Sequence, residues 1–101
     1  MSAPEELFAL QLRAVGIQVE REFKFHSIRK WRADFAIPSK MLLIEIEGGL
    51  FINGRHNRGK GMINDMDKYN NAALLGYRIL RFSPAMVKSG DALQMVQEFI
   101  K

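Results

Sequence analysis

Apolar and polar positions alternate along the chain with two different periods, and the changes between them mark the elements. Leu7, Leu10 and Ala14, joined by Phe8, Leu12 and Val15, recur at helical spacing. Ser2 suits the N-cap, Pro4 the first turn, Glu5 and Glu6 the positive end of the helix dipole, and Gly16 the C-terminal stop. From Ile17 the period drops to two: Val19, Arg21, Phe23 and Phe25 share one parity, and Glu20, Glu22, Lys24 and His26 the other, as in a half-buried strand. Ser27 to Lys30 reads as a basic turn, Trp31 to Ile37 as a second strand, Pro38-Ser-Lys as a turn and Met41 to Glu47 as a third, strongly apolar strand. The last two strands are close enough to form an antiparallel hairpin.

Gly48 to Gly61, with glycine at 48, 49, 54, 59 and 61, reads as a functional loop, too long and too basic for a tight turn. A helix is expected from about Met62 to Leu75, with Met62, Met66, Tyr69 and Ala73 on one face and Gly76 ending it. Tyr77 to Phe82 is a strand with Ile79, Leu80 and Phe82 as buried positions. A last helical region runs from Ser83-Pro84 to Ile100, interrupted near Ser89-Gly90, with Asp91 as a cap for its final part. The order α-β-β-β-α-β-α predicts an α/β sandwich with a mixed sheet.

At 101 residues the chain suits a single domain. It has no cysteine, which excludes disulfides and thiolate-bound zinc and fits a reducing compartment. No apolar run is long enough to cross a bilayer, so no membrane partner is expected. The acidic N-terminus lacks the order of a signal peptide, so a cytoplasmic location (a host's, if phage-encoded) is the expectation. The net charge of +4 and pI of about 9.7 favour phosphate-bearing partners. Arg21, Lys24, Arg29, Lys30 and Arg32 crowd one segment, and Arg55, Arg58 and Lys60 another. Arg32, Arg55, Arg58 and Lys60 are candidates for gripping nucleic-acid phosphates, with the glycines letting the backbone approach.

Strand alternation puts Glu45 and Glu47 on one face and Leu42, Ile44 and Ile46 on the other. Asp34 on the preceding strand can approach Glu45 across the hairpin. Three carboxylates at a sheet edge suit Mg²⁺ or Mn²⁺, hard cations that prefer oxygen ligands and leave positions open for phosphate. A metal so held supports phosphodiester hydrolysis. On spacing alone, the glutamates suit solvent-facing ion pairs with Arg or Lys somewhat better. Asp65 and Lys68, three apart on the second helix, suit an exposed ion pair. Tyr69 and Trp31 suit packing, Trp31 also base stacking, and His26 a strand surface.

Arg32-Ala33-Asp34-Phe35-Ala36-Ile37-Pro38 followed by Leu43-Ile44-Glu45-Ile46-Glu47-Gly48-Gly49 resembles the core of the PD-(D/E)XK nuclease superfamily. With Gly54-Arg55-His56, Asp65-Met66-Asp67-Lys68-Tyr69-Asn70 and Gly76 to Phe82, it is similar to the branch near the very short patch repair endonucleases and to small phage and bacterial proteins of that arrangement. The resemblance implies a restriction-endonuclease-like αβββαβ core with a mixed sheet flanked by helices. It implies an Mg²⁺-dependent (or Mn²⁺-dependent) DNA endonuclease, acting on branched, nicked or mismatched DNA. The metal ligands it implies are Asp34, Glu45, the Ile46 carbonyl and Glu5, which is preferred to Glu6, and it places His56 near the scissile phosphate. Glu47 stands where the family has a lysine. Either Lys68 on the second helix takes over that role, or Glu47 is a further metal ligand, or the chain is a catalytically inactive nucleic-acid-binding module of the same fold. A ribonuclease is not separable from a deoxyribonuclease on these residues. Cutting both strands of a duplex calls for a homodimer or two encounters, and a larger protein partner is a further expectation for so small a basic chain.

Overall fold

The computed structural model describes the backbone of residues 2–48 and 58–101, and the side chains of 2–48 and 63–101. Its elements are α1 (Ala3–Ala14), β1 (Glu20–Lys24), β2 (Arg32–Ile37), a 3₁₀ turn (Pro38–Lys40), β3 (Leu42–Ile46), α2 (Arg58–Leu74), β4 (Arg78–Phe82), α3 (Pro84–Ser89) and α4 (Asp91–Ile100). The strands form one mixed sheet in the order β1-β2-β3-β4, antiparallel across the first two pairs and parallel between β3 and β4. A parallel pair needs a crossover, and α2 supplies it.

Helices cover both faces. On one, Phe8, Ala9 and Leu12 of α1, Val87 of α3, and Ala92 and Val96 of α4 bury Phe35, Ile37, Leu42, Ile44, Ile46 and Phe82. Phe8 lies at its centre, edge-on to Phe35 and Phe82 with centroids 5.4 and 5.9 Å away. On the other, Ala72 of α2 packs with Phe25, Ala33, Ala36 and Leu43. Leu42, Ile44 and Ile46 thus face one core while Leu43 faces the second, as the alternation predicts.

Both ends of α1, the C-terminus of α2 and the break between α3 and α4 follow their signals. The Ser2 side chain accepts from Glu5 N–H. Gly16 and Gly76, at φ +80° and +95°, turn the chain after α1 and α2, and the following N–H groups of Ile17 and Tyr77 reach back to Leu12 and Ala72. Gly90, at φ +88°, separates α3 from α4.

Several expectations are corrected. Leu10, Ala14 and Val15 are exposed, and Ala9 joins Phe8 and Leu12 in the core, because α1 turns a narrower stripe inward. The second helix begins at Arg58, four residues before Met62, so part of the expected loop is helical. Its inner side runs through Tyr69 and Ala72, while Met66 and Ala73 are exposed. Ile79 and Leu80 are half-buried, and only Phe82 of the three is buried. Asp91 does not cap α4; Gly90 is the N-cap and no side chain bonds there.

The first hairpin departs furthest from simple alternation. Val19 packs on the α1 face, but Phe23 and Phe25 pack on the α2 face. In β2, Phe35 and Ile37 belong to the first core and Ala33 to the second. Both strands therefore exchange faces at the same level, at Glu22 and Asp34. The register runs Arg21↔Phe35 and Phe23↔Ala33, with Glu22 and Asp34 left between them outside the ladder. Glu22 has φ +50°, the left-handed region that a non-glycine residue rarely adopts. One such residue rotates the strand and turns its own side chain out of the pleat.

Candidate metal centre and its cationic neighbours

The face exchange leaves Asp34 without a ladder partner on either side. Toward β3 the backbone pairing ends at Phe35↔Ile44, and side chains take over. Asp34 N–H donates to Glu45 Oε2 at 3.1 Å, and Ile46 N–H donates to Asp34 Oδ2 at 2.8 Å. This reciprocal lock holds the two carboxylates at the end of the sheet.

Glu5, in the first turn of α1, and Glu22, turned by its left-handed backbone, meet Asp34 from the other side. One carboxylate oxygen from each of Glu5, Glu22 and Asp34 lies within 4.8 Å of the others. Burial pushes the Asp34 carboxyl up to about 6, with the charges of Glu45, Glu5 and Glu22 adding to it, against the lowering effect of the Ile46 hydrogen bond. Hard oxygen donors at this spacing fit a divalent cation. Glu6 points elsewhere, to Arg21 at 2.9 Å, which holds its carboxyl below the ordinary value.

Glu45 is buried, at 7% exposure, and is compensated by protein donors. Its Oε1 accepts from Lys68 Nζ and from Tyr69 O–H, both at 2.8 Å. The Lys68 ammonium is therefore on Glu45 and not on Asp65, correcting the exposed pair expected within the helix. Glu47 accepts from Arg81 Nε at 3.0 Å, and its Oε2 lies 3.2 Å from the Tyr69 hydroxyl. Tyr69 is thus a polar bridge rather than a packing residue. Burial, and then the charge and hydrogen bond of Glu45, raise its pKa well above the ordinary phenol value, so it stays a donor.

Of the expected site residues, the structure brings Glu5, Asp34, Glu45, Glu47 and Lys68 into one connected group, and Ile46, expected to offer its carbonyl, enters it through its N–H. Glu45 stands outside the 4.8 Å carboxylate trio, and Glu22 takes the third place in it. Sequence reasoning missed Glu22, although a signal existed: a hairpin folded about Ile28 sets Glu22 opposite Asp34. Arg32 is exposed and lies 4.0 Å from Glu22. Arg55 and His56 lie outside the described residues, as do the side chains of Arg58 and Lys60.

No family model matches the chain, and no curated protein matches it. Among solved structures, it is similar to the catalytic domain of the homing endonuclease I-Bth0305I, with a TM-score of 0.70 and 23% identity, over 98% of this chain and 94% of that one. The likeness shows the fold: a mixed four-stranded sheet with flanking helices, arranged as in that catalytic domain.

Proposed function

We propose that the chain is a metal-dependent endonuclease that hydrolyses DNA phosphodiester bonds, as the PD-(D/E)XK resemblance implies. The observation that carries this reading is the convergence of Glu5, Glu22 and Asp34 at the sheet end, on a fold shared with a homing endonuclease catalytic domain. These three carboxylates would hold Mg²⁺ or Mn²⁺. When bound, the cation supplies Lewis acidity at a phosphate oxygen and lowers the pKa of its water.

The chain's own residues do the rest. Lys68 brings the only ammonium that contacts Glu45 among the described residues, and it takes the role the motif assigns to the residue at position 47: orienting the nucleophile and offsetting developing negative charge. Glu47, held by Arg81, leaves that role to it. Asp34 must shed its proton to bind a cation, so cation uptake weakens as pH falls through about 6. His56, Arg55, Arg58, Lys60 and Arg32 are assigned to the phosphates.

The test is cleavage of labelled single-stranded, duplex and branched DNA, and of RNA, with Mg²⁺, Mn²⁺ or EDTA. Cleavage that requires the metal and falls by at least about 100-fold in Asp34→Asn supports the reading. Tight binding without cleavage of any substrate under every condition overturns it and leaves a non-catalytic binding module.

A further inference from the structure

The turn joining β1 to β2 is built as a rigid, cationic projection that the metal centre does not use. His26 Nδ1 accepts two backbone N–H groups, from Ile28 at 3.1 Å and Arg29 at 3.0 Å, which fixes the path of the turn. The Arg29 guanidinium lies 4.2 Å from the Trp31 ring centroid. Trp31 in turn stacks on the buried Phe25, with planes inclined by 15°. The side chain of Arg29 is therefore pre-ordered although the residue is exposed, and a planar guanidinium held by stacking keeps its edge donors free. Lys24, Lys30 and Arg32 are exposed beside it. At the tip Ile28 is 83% exposed, a β-branched apolar side chain amid cations, with no cover from the described residues.

A stray surface isoleucine alone means little. Here it tops a turn held by a histidine and an aromatic stack, on the hairpin that carries Glu22 and Asp34. Extended backbone advances about 3.3 Å per residue, so the tip, six residues from Glu22 and from Asp34, stands at most about 20 Å from those residues. That span reaches phosphates several nucleotides from a bond held at the metal centre.

We infer that the 25–31 turn is a DNA-docking finger, with Arg29 and Lys30 on backbone phosphates and Ile28 set against an opened or unstacked base step. Apolar wedges flanked by cations favour DNA that is already distorted, where unstacking costs less. The inference rests on the nuclease reading for its substrate and adds a determinant for nicked, mismatched or branched duplexes over intact ones.

Binding in EDTA tests it without involving catalysis. Fluorescence anisotropy of labelled intact and nicked duplexes is followed across salt concentrations, with melting curves confirming that each variant folds. The double variant Arg29→Gln/Lys30→Gln is expected to bind both duplexes about tenfold or more weakly, with a salt slope smaller by about 2. Ile28→Ser is expected to keep the slope and lose the preference for nicked DNA. Unchanged affinity and slope in the double variant, or unchanged preference in Ile28→Ser, overturn the assignment while metal-dependent cleavage by the wild type stands. A wild type that neither binds nucleic acid in EDTA nor cleaves it with metal overturns both readings.

Discussion

At neutral pH Asp34 carries its charge against burial and against the carboxylates of Glu45, Glu5 and Glu22, which raise its pKa from the ordinary 3.8 to about 6. The sign of the consequence is fixed. Between those values the folded chain holds a proton that the unfolded chain releases, so without metal, stability falls as pH rises from about 4 to about 6 and stays lower above. Asp34→Asn keeps an acceptor for Ile46 N–H and removes the charge. Melting in EDTA is expected to be higher by several degrees in this variant at pH 7.5, and the gain to vanish near pH 4; about 1 kcal/mol corresponds to 4–8 °C in a domain of this size. An equal difference at both pH values would contradict it. Lys68→Ala leaves Glu45 buried with the Tyr69 hydroxyl and Asp34 N–H as donors. A loss of about 2–3 kcal/mol in urea unfolding is expected, below the 3–5 of a fully orphaned buried ion, with turnover reduced by about 100-fold or more and DNA affinity largely kept. Wild-type turnover would remove Lys68 from the mechanism.

Among the elements, the β1–β2 hairpin departs most from its pattern, and Glu22 is the cause. A left-handed non-glycine residue costs on the order of 1 kcal/mol or more. Asparagine tolerates that conformation better, so Glu22→Asn is expected to raise the melting temperature by a few degrees while weakening Mn²⁺ binding. A lower melting temperature with binding intact would show that the carboxylate has a structural role instead. The same residue explains what the sequence left hidden. Element types and order were readable because Gly16, Gly76 and Gly90 stop helices where they must, and because Leu42, Ile44 and Ile46 alternate cleanly with Leu43, Glu45 and Glu47. The exchange of faces was not readable: Val19, Arg21, Phe23 and Phe25 keep an unbroken parity in sequence, and only a backbone torsion divides them between two cores. Tyr69 is ambiguous for a related reason, since its ring suits packing and its hydroxyl decides its place.

For the molecule as a whole, the mixed sheet gathers chemistry at one end. The α1 N-terminus delivers Glu5, the hairpin delivers Glu22 and Asp34, and α2 crosses the opposite face to lay Lys68 and Tyr69 on Glu45. Negative charge is thus divided into a compensated half, Glu45 and Glu47 with Lys68 and Arg81, and a half where three carboxylates converge. Among the described residues no helix is long and apolar enough to cross a membrane.

Mn²⁺ binding followed by electron paramagnetic resonance, at pH 7.5 and with no nucleic acid present, bears most directly on the carboxylate trio. The wild type is expected to take up one or two equivalents, Glu22→Gln and Asp34→Asn to bind at least about tenfold more weakly, and Lys68→Ala to bind as the wild type does. Undiminished uptake in both carboxylate variants, or none by the wild type at millimolar Mn²⁺, would contradict a metal centre at the end of this sheet.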